Sequence, residues 1–161
     1  MRRSIATVSL SGTLRQKLQA IAAARFDGIE LFEADFVNFD GSAADLRAMA
    51  ADLGLSIDLY QPFRDFEGMP DADHARNCDR AERKFDLMQA LGAPTMLVCS
   101  NTSERSLGDP QRSAAQLHEL AERAARRTCA SATKRSRGAA TSTATARRGR
   151  SSSAPTIRTW G

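Results

Sequence analysis

Three charged side chains lie close together directly after a predicted strand, and they are the first candidates for chemistry in this sequence. Arg64, Asp65 and Glu67 follow the apolar run Ser56–Tyr60, which Pro62 ends. Loops at the strand ends of an α/β scaffold are where binding and catalytic sites are built, so this loop is a candidate ligand site. The alternative is a solvated turn in which Arg64 pairs with one of the two acids while the neighbouring phenylalanines join the core.

Two further acids lie on a second predicted strand, residues 28–33. Ile29 and Leu31 share one face of this strand, so that helices covering that face would leave Glu30 pointing inward and Glu33 at the carboxyl tip. Such folds place their chemistry at that tip. The alternative is that Glu30 is a buried acid satisfied by a polar group of a neighbouring strand.

Other polar residues give weaker signals. His74 lies near the start of a predicted helix, where a lone histidine is more often a surface or capping residue than a ligand. Residues 100–103 follow a strand and could bind a substrate hydroxyl, although Ser/Asn-rich turns are common. Cys78, Cys99 and Cys129 lack metal-ligand spacing and are odd in number, which indicates reduced thiols.

The elements that must position these residues alternate as strand and helix four times. Capping signals at Thr13, Ser42 and Asp109 mark three helix starts, while Pro62 ends the third strand. The pattern predicts a parallel α/β fold, and four βα units form half of an eight-unit barrel. No dinucleotide-binding or Walker motif is present. The predicted strands are Ile5–Leu10, Gly28–Glu33, Ser56–Tyr60 and Thr95–Cys99.

Composition divides the 161-residue chain at Arg127. Residues 1–127 contain 16 Lys and Arg against 19 Asp and Glu, whereas residues 128–161 contain seven Lys and Arg and no acid. The second segment has no strand pattern and only two large apolar side chains, so a disordered basic tail is expected. Without a signal peptide pattern or an apolar run long enough to span a bilayer, the expected compartment is the cytoplasm.

Three segments carry a resemblance to a known family. Gly28–Glu33 and Leu91–Val98 resemble the xylose-isomerase-like TIM barrels, the group of sugar-phosphate isomerases and epimerases, and residues 1–127 resemble the amino-terminal half of that fold. Tyr60–Gly68 is more specific and is similar to bacterial 3-dehydroshikimate dehydratases, including those fused to a 4-hydroxyphenylpyruvate-dioxygenase-like domain.

The resemblance implies a lyase of aromatic catabolism that uses a divalent metal (Mg, Mn or Co) to convert 3-dehydroshikimate into protocatechuate and water. By motif position, Arg64 would bind the substrate carboxylate, while Glu33 and Gln61 would line the same pocket. A sugar-phosphate isomerase of the same fold is the alternative. The family's metal ligands come from strands five to eight, which this sequence lacks, so we expect no bound metal and no activity.

The basic tail has three interpretations. It could bind nucleic acid through its charge, although this partner is not favoured, or it could be a plain extension. The favoured interpretation is a reading-frame shift near codon 128, because Ala, Arg, Ser, Thr and Gly are what GC-rich DNA encodes in a wrong frame. A one-nucleotide correction, with GC-rich codons assumed, gives a fifth strand with a glutamate where the family has a metal ligand. The half barrel would then expose its first and fourth strands to self-association.

Overall fold

The computed structural model describes residues 2–127, 130–134 and 157–160. Its strands are β1 (Ser4–Ala6), β2 (Gly28–Phe32), β3 (Ser56–Phe63), β4 (Thr95–Cys99), β5 (Ala130–Lys134) and β6 (Ile157–Trp160). Its α-helices are α1 (Leu14–Ala23), α2 (Glu33–Val37), α3 (Ala43–Asp52), α4 (Asp71–Leu91) and α5 (Pro110–Arg126). The strands form one parallel sheet in chain order, which confirms the four predicted βα units.

Helices α1, α3 and α5 begin where the sequence places a capping side chain. Thr13 and Ser42 each form a reciprocal capping box, with Gln16 and Asp45 respectively. Asp109 caps α5, whose first residue is a proline. Within the described ranges, no helix is long and apolar enough to cross a bilayer.

The hydrophobic core lies between the sheet and the helices. Ile29, Leu31, Met96 and Val98 are fully buried on the helix-facing side of the sheet. Phe85 of α4 is equally buried. The side of β2 that carries Glu30 is therefore the opposite, inner face, as the alternation predicts.

The first predicted strand is shorter than expected. It ends at Ala6, and Thr7–Ser9 form a 3₁₀ turn. Thr7 is fully buried, and its hydroxyl oxygen accepts a hydrogen bond from the backbone N–H of Phe32 at 3.0 Å. A hydrogen bond from the backbone of β2 to a side chain thus replaces further strand pairing.

The third predicted strand is longer than expected. It passes Pro62 and ends at Phe63. The pairing with β4 shifts register between Tyr60 and Phe63, so the missing N–H of Pro62 falls where the ladder is irregular.

Two strands follow Arg127, although the sequence shows no strand pattern there. β5 pairs with β4 from Thr95↔Ala130 to Cys99↔Lys134, and β6 pairs with β5. A strand can pair with an open sheet edge through its backbone alone, without apolar side chains. The side-chain pattern therefore did not predict β5 and β6. The described edges of the sheet are therefore β1 and β6 rather than β1 and β4. Disorder was predicted for residues 128–161, of which 128–129, 135–156 and 161 lie outside the described residues.

Candidate functional site

The loop after β3 is held in place by α4. Asp65 has a φ of 56°, in the left-handed region that aspartate tolerates better than most residues. Asn77 donates a hydrogen bond to the carbonyl oxygen of Asp65 at 2.6 Å, and the Arg80 guanidinium donates to the carbonyl oxygen of Arg64. The same guanidinium lies 4.7 Å from the ring centroid of Phe63. The backbone of this loop is thus fixed by side chains of one helix.

Arg64 directly follows β3 at the start of this loop. The residue is exposed, and its guanidinium has no hydrogen bond or ion pair with any residue that the structure describes. It pairs with neither Asp65 nor Glu67, so the solvated-turn alternative is wrong for Arg64. That alternative is correct for the two phenylalanines, since Phe63 and Phe66 are 2% and 0% exposed.

Glu67 is turned inward and binds the loop after β4. One carboxylate oxygen accepts a hydrogen bond from the backbone N–H of Asn101 at 2.6 Å, and the other is buried without a partner in the described part of the chain. Burial raises the pKa of Glu67 above its ordinary value. The Asn101 side chain donates to the carbonyl oxygen of Glu67 and accepts from the N–H of Ser103. The side chain of Asn101 therefore holds the loop together, which agrees with the interpretation of residues 100–103 as an ordinary Ser/Asn-rich turn.

Glu33 already has a cationic partner. It forms an ion pair with Lys84 of α4, whose ammonium nitrogen lies 5.6 Å from the ring centroid of Tyr60. Burial lowers the pKa of Lys84 and raises the pKa of Tyr60 to about 12. The Tyr60 hydroxyl is buried without a partner among the described residues. The carboxylate of Glu33 is therefore engaged by α4.

Gln61 instead contacts the other acid of β2. Its side-chain amide donates a hydrogen bond to the Glu30 carboxylate at 3.1 Å. The structure therefore satisfies Glu30 through a neighbouring strand, as the second interpretation predicted. Of the three predicted substrate-binding residues, Arg64 is the one whose polar group is not already engaged by a described residue.

The described residues do not assemble the family's metal site at the strand ends. Among them, one group of three potential ligands lies close together, and it consists of His74, Cys78 and Glu119 between α4 and α5. This group lies between helices that cover the outside of the sheet, so it does not fit a metal that would contact a substrate beside Arg64. The sequence did contain a signal for it, because His74 and Cys78 are four residues apart on one helix.

Comparison with known proteins assigns the fold. The model of the xylose isomerase-like TIM barrel family matches residues 18–130. The chain belongs to this family. A curated relative from Pseudomonas aeruginosa, named 3-dehydroshikimate dehydratase, is 62% identical over 125 residues, which are 78% of this chain and 20% of the relative. The chain spans about a fifth of the length of the curated relatives it matches.

Two solved structures extend the comparison. A xylose isomerase-like TIM barrel/4-hydroxyphenylpyruvate dioxygenase fusion protein matches with a TM-score of 0.82 and 54% identity, over 84% of this chain and 22% of the other. The IOLI protein with a bound zinc atom matches with a TM-score of 0.72 and 15% identity, over 84% of this chain and 51% of the other. The second likeness concerns the fold alone. Both agree with the prediction that the resemblance covers the amino-terminal part of a longer barrel.

Proposed function

We propose that residues 1–127 are the amino-terminal part of a catalytic barrel of the 3-dehydroshikimate dehydratase type, in which Arg64 binds the substrate carboxylate. The observation that carries the proposal is the exposed guanidinium of Arg64, which no described residue pairs, on a loop fixed by α4. It lies at the carboxyl end of β3, where this family's fold places substrate contacts. The 62% identity to a relative of that name supports the substrate class.

The carboxylate suits this role because the reaction leaves it unchanged. Conversion of 3-dehydroshikimate into protocatechuate removes one proton and one hydroxide as water and makes the ring aromatic. A planar guanidinium with two parallel donors can hold the carboxylate and fix the orientation of the ring throughout. The contact is equally available before and during the reaction, so it should lower KM more than it raises kcat.

The divalent metal of the family would supply electrostatic stabilisation of the enolate. The described residues offer no ligand set for it near Arg64. We propose that this chain alone does not catalyse the dehydration and that its contribution is to bind and orient the substrate. A frame shift near codon 128 would explain why the likeness to the family model ends at residue 130.

A chimera tests this proposal. Residues 1–127 of this chain would replace the corresponding part of the Pseudomonas aeruginosa relative, and protocatechuate formation would be followed by absorbance. Arg64→Ala should raise KM roughly 10- to 100-fold with a smaller change in kcat, since a charge-assisted contact contributes about 1.5–3 kcal/mol. Arg64→Lys should recover little, because an ammonium group lacks the two-donor geometry.

The matched control is Arg15→Ala, which removes an exposed arginine on α1. Its KM should equal that of the parent chimera. An Arg64→Ala chimera with the parent KM and an unchanged circular dichroism spectrum would show that Arg64 does not bind substrate. Protocatechuate formation by the unfused chain would overturn the statement that it is inactive alone.

A further inference from the structure

A cluster of three ligand-type side chains joins α4 to α5. His74 and Cys78 are one turn apart on α4, and Glu119 faces them from α5. The imidazole Nε2 of His74 lies 2.8 Å from Oε2 of Glu119 and 3.6 Å from Sγ of Cys78, and that sulfur lies 3.8 Å from Oε1 of Glu119. We call these three residues the outer cluster.

The spacing of the outer cluster is close to that of ligands around tetrahedral zinc. With Zn–N and Zn–O near 2.0 Å and Zn–S near 2.3 Å, ligand atoms lie roughly 3.5 Å apart across N/S and S/O pairs and roughly 3.3 Å apart across N/O pairs. The distance of 3.6 Å between Nε2 and Sγ already matches. The two oxygens of Glu119 differ, because Oε1 lies 3.8 Å from the sulfur whereas Oε2 lies 2.8 Å from Nε2, which is the separation of a hydrogen bond. One oxygen must serve both pairs around a zinc ion, so the carboxylate must turn and the contact with His74 must widen by about half an ångström.

The surroundings limit how these side chains can move. Cys78 is 5% exposed, and the His74 ring packs edge-on against Phe66 with 5.3 Å between ring centroids. Arg123 donates to Oε1 of Glu119 at 2.7 and 3.0 Å. Because the ligands come from two helices already held together, little conformational freedom is lost when a cation binds.

The outer cluster is also accessible from solvent. The side chain of Glu119 is 40% exposed, whereas that of His74 is 14% exposed. A cavity of about 500 Å³ opens beside them. Its lining includes Asp71, His74, Asp109, Arg112, Gln116 and Glu119. A cation has an entry path here, and water has room to occupy a fourth position.

We propose that His74, Cys78 and Glu119 bind one zinc ion, with water as the fourth ligand. One imidazole, one thiolate and one carboxylate form a set that favours zinc over Mg²⁺ or Ca²⁺, which prefer oxygen ligands alone. On binding, Cys78 loses its thiol proton to solvent, and the hydrogen bond between His74 and Glu119 is exchanged for two metal bonds. The proton of that hydrogen bond leaves Nε2, and the neutral imidazole keeps its one proton on Nδ1. The site stabilises the contact between α4 and α5 and takes no part in substrate binding at Arg64.

Cobalt substitution tests the proposal on the full chain. Replacing Cys99 and Cys129 by serine leaves Cys78 as the one thiol, since the sequence has three cysteines. After treatment with reductant and chelator, this variant should bind one equivalent of Co²⁺ with a thiolate-to-cobalt charge-transfer band in the near ultraviolet. One equivalent of Zn²⁺ should abolish the band, and zinc should raise the melting temperature.

Matched variants identify the ligands, because the sequence contains two histidines. His74→Ala and Glu119→Gln should each weaken zinc binding at least 10-fold and remove the thermal shift. His118→Ala and Glu122→Gln, whose side chains form an exposed pair on α5, should leave both unchanged. Glu119→Gln is the decisive variant, because its side chain is partly exposed and circular dichroism should show an intact fold.

Either of two results would overturn the proposal. The first is the absence of stoichiometric zinc binding by the folded Cys78-only chain. The second is an affinity that Glu119→Gln and His74→Ala leave unchanged, which would mean that the thiol binds the metal without the other two groups. Neither result bears on Arg64, so this test and that of the proposed function can fail independently.

Discussion

Two charges of the loop after β3 lie three residues apart and have opposite environments. Arg64 is exposed and has no described partner, whereas Glu67 is buried against Asn101. A buried carboxylate with one unpartnered oxygen lowers the stability of the folded state, while an exposed guanidinium costs the fold little. The loop therefore uses one charge for its own attachment and leaves the other available to a ligand.

The first prediction at this scale is that Glu67→Gln stabilises the protein at neutral pH. Burial holds the folded-state pKa of Glu67 above its ordinary value of 4.5, so the folded state binds the proton more tightly than the unfolded state. Below pH 4.5 Glu67 is protonated in the folded state, and its burial costs the fold least. As the pH rises through the raised pKa, the carboxylate ionises and the free energy of unfolding decreases. Glutamine cannot ionise and keeps an oxygen for the N–H of Asn101.

Urea unfolding at pH 4 and pH 7 measures the effect. The free energy of unfolding of Glu67→Gln should exceed that of the parent at pH 7 and by much less at pH 4. The control is Glu104→Gln, an exposed glutamate that should change neither value. A Glu67→Gln variant destabilised equally at both pH values would show that the carboxylate is needed as a hydrogen-bond acceptor rather than tolerated as a buried charge.

Sequence reasoning identified the loop but not the partners of its side chains. The position of Arg64 after a buried strand could be predicted, because strand order and strand ends follow from local patterns. The pairing of Glu33 with Lys84 could not, since it depends on how α4 lies across the sheet. The contact between His74 and Glu119 spans 45 residues and has no local signature beyond the spacing of His74 and Cys78.

Helix α4 organises both candidate sites at the scale of elements. Asn77, Arg80 and Lys84 form one stripe, and they contact the loop after β3 and Glu33. His74 and Cys78 lie on another stripe and contact α5. Part of the high charge of α4 therefore serves contacts to its neighbours.

The second prediction concerns the side of α4 that enters the core. Phe85 is fully buried, so Phe85→Ala should lower the free energy of unfolding by about 3–5 kcal/mol. Val37→Ala is the control, because Val37 is 71% exposed and its replacement should change stability by less than about 0.5 kcal/mol. Urea unfolding monitored by circular dichroism compares the two, and a Phe85→Ala loss as small as that of Val37→Ala would contradict the packing of α4 on the sheet.

The sheet determines how the whole molecule can associate. Its described edges are β1 and β6, and β4 is covered by β5 along all five of its residues. The sequence alone predicted an open β4, because the basic segment lacks the apolar alternation from which strands are recognised. An edge strand pairs with another strand through its backbone N–H and C=O groups, and the pattern of side chains does not show this pairing.

The last prediction follows from this pairing. A chain ending at Arg127 lacks β5 and β6 and leaves β4 as an unpaired, apolar edge, so it should self-associate at lower concentration than the full chain. Light scattering after size-exclusion chromatography, over a concentration series, gives the two masses. In the shortened chain, Thr95→Lys places a charge at the start of β4 and should reduce the association, while Arg15→Ala should not. If both lengths have the same mass across the series, strand pairing by residues 130–134 does not protect β4, and the basic segment contributes nothing to the state of association.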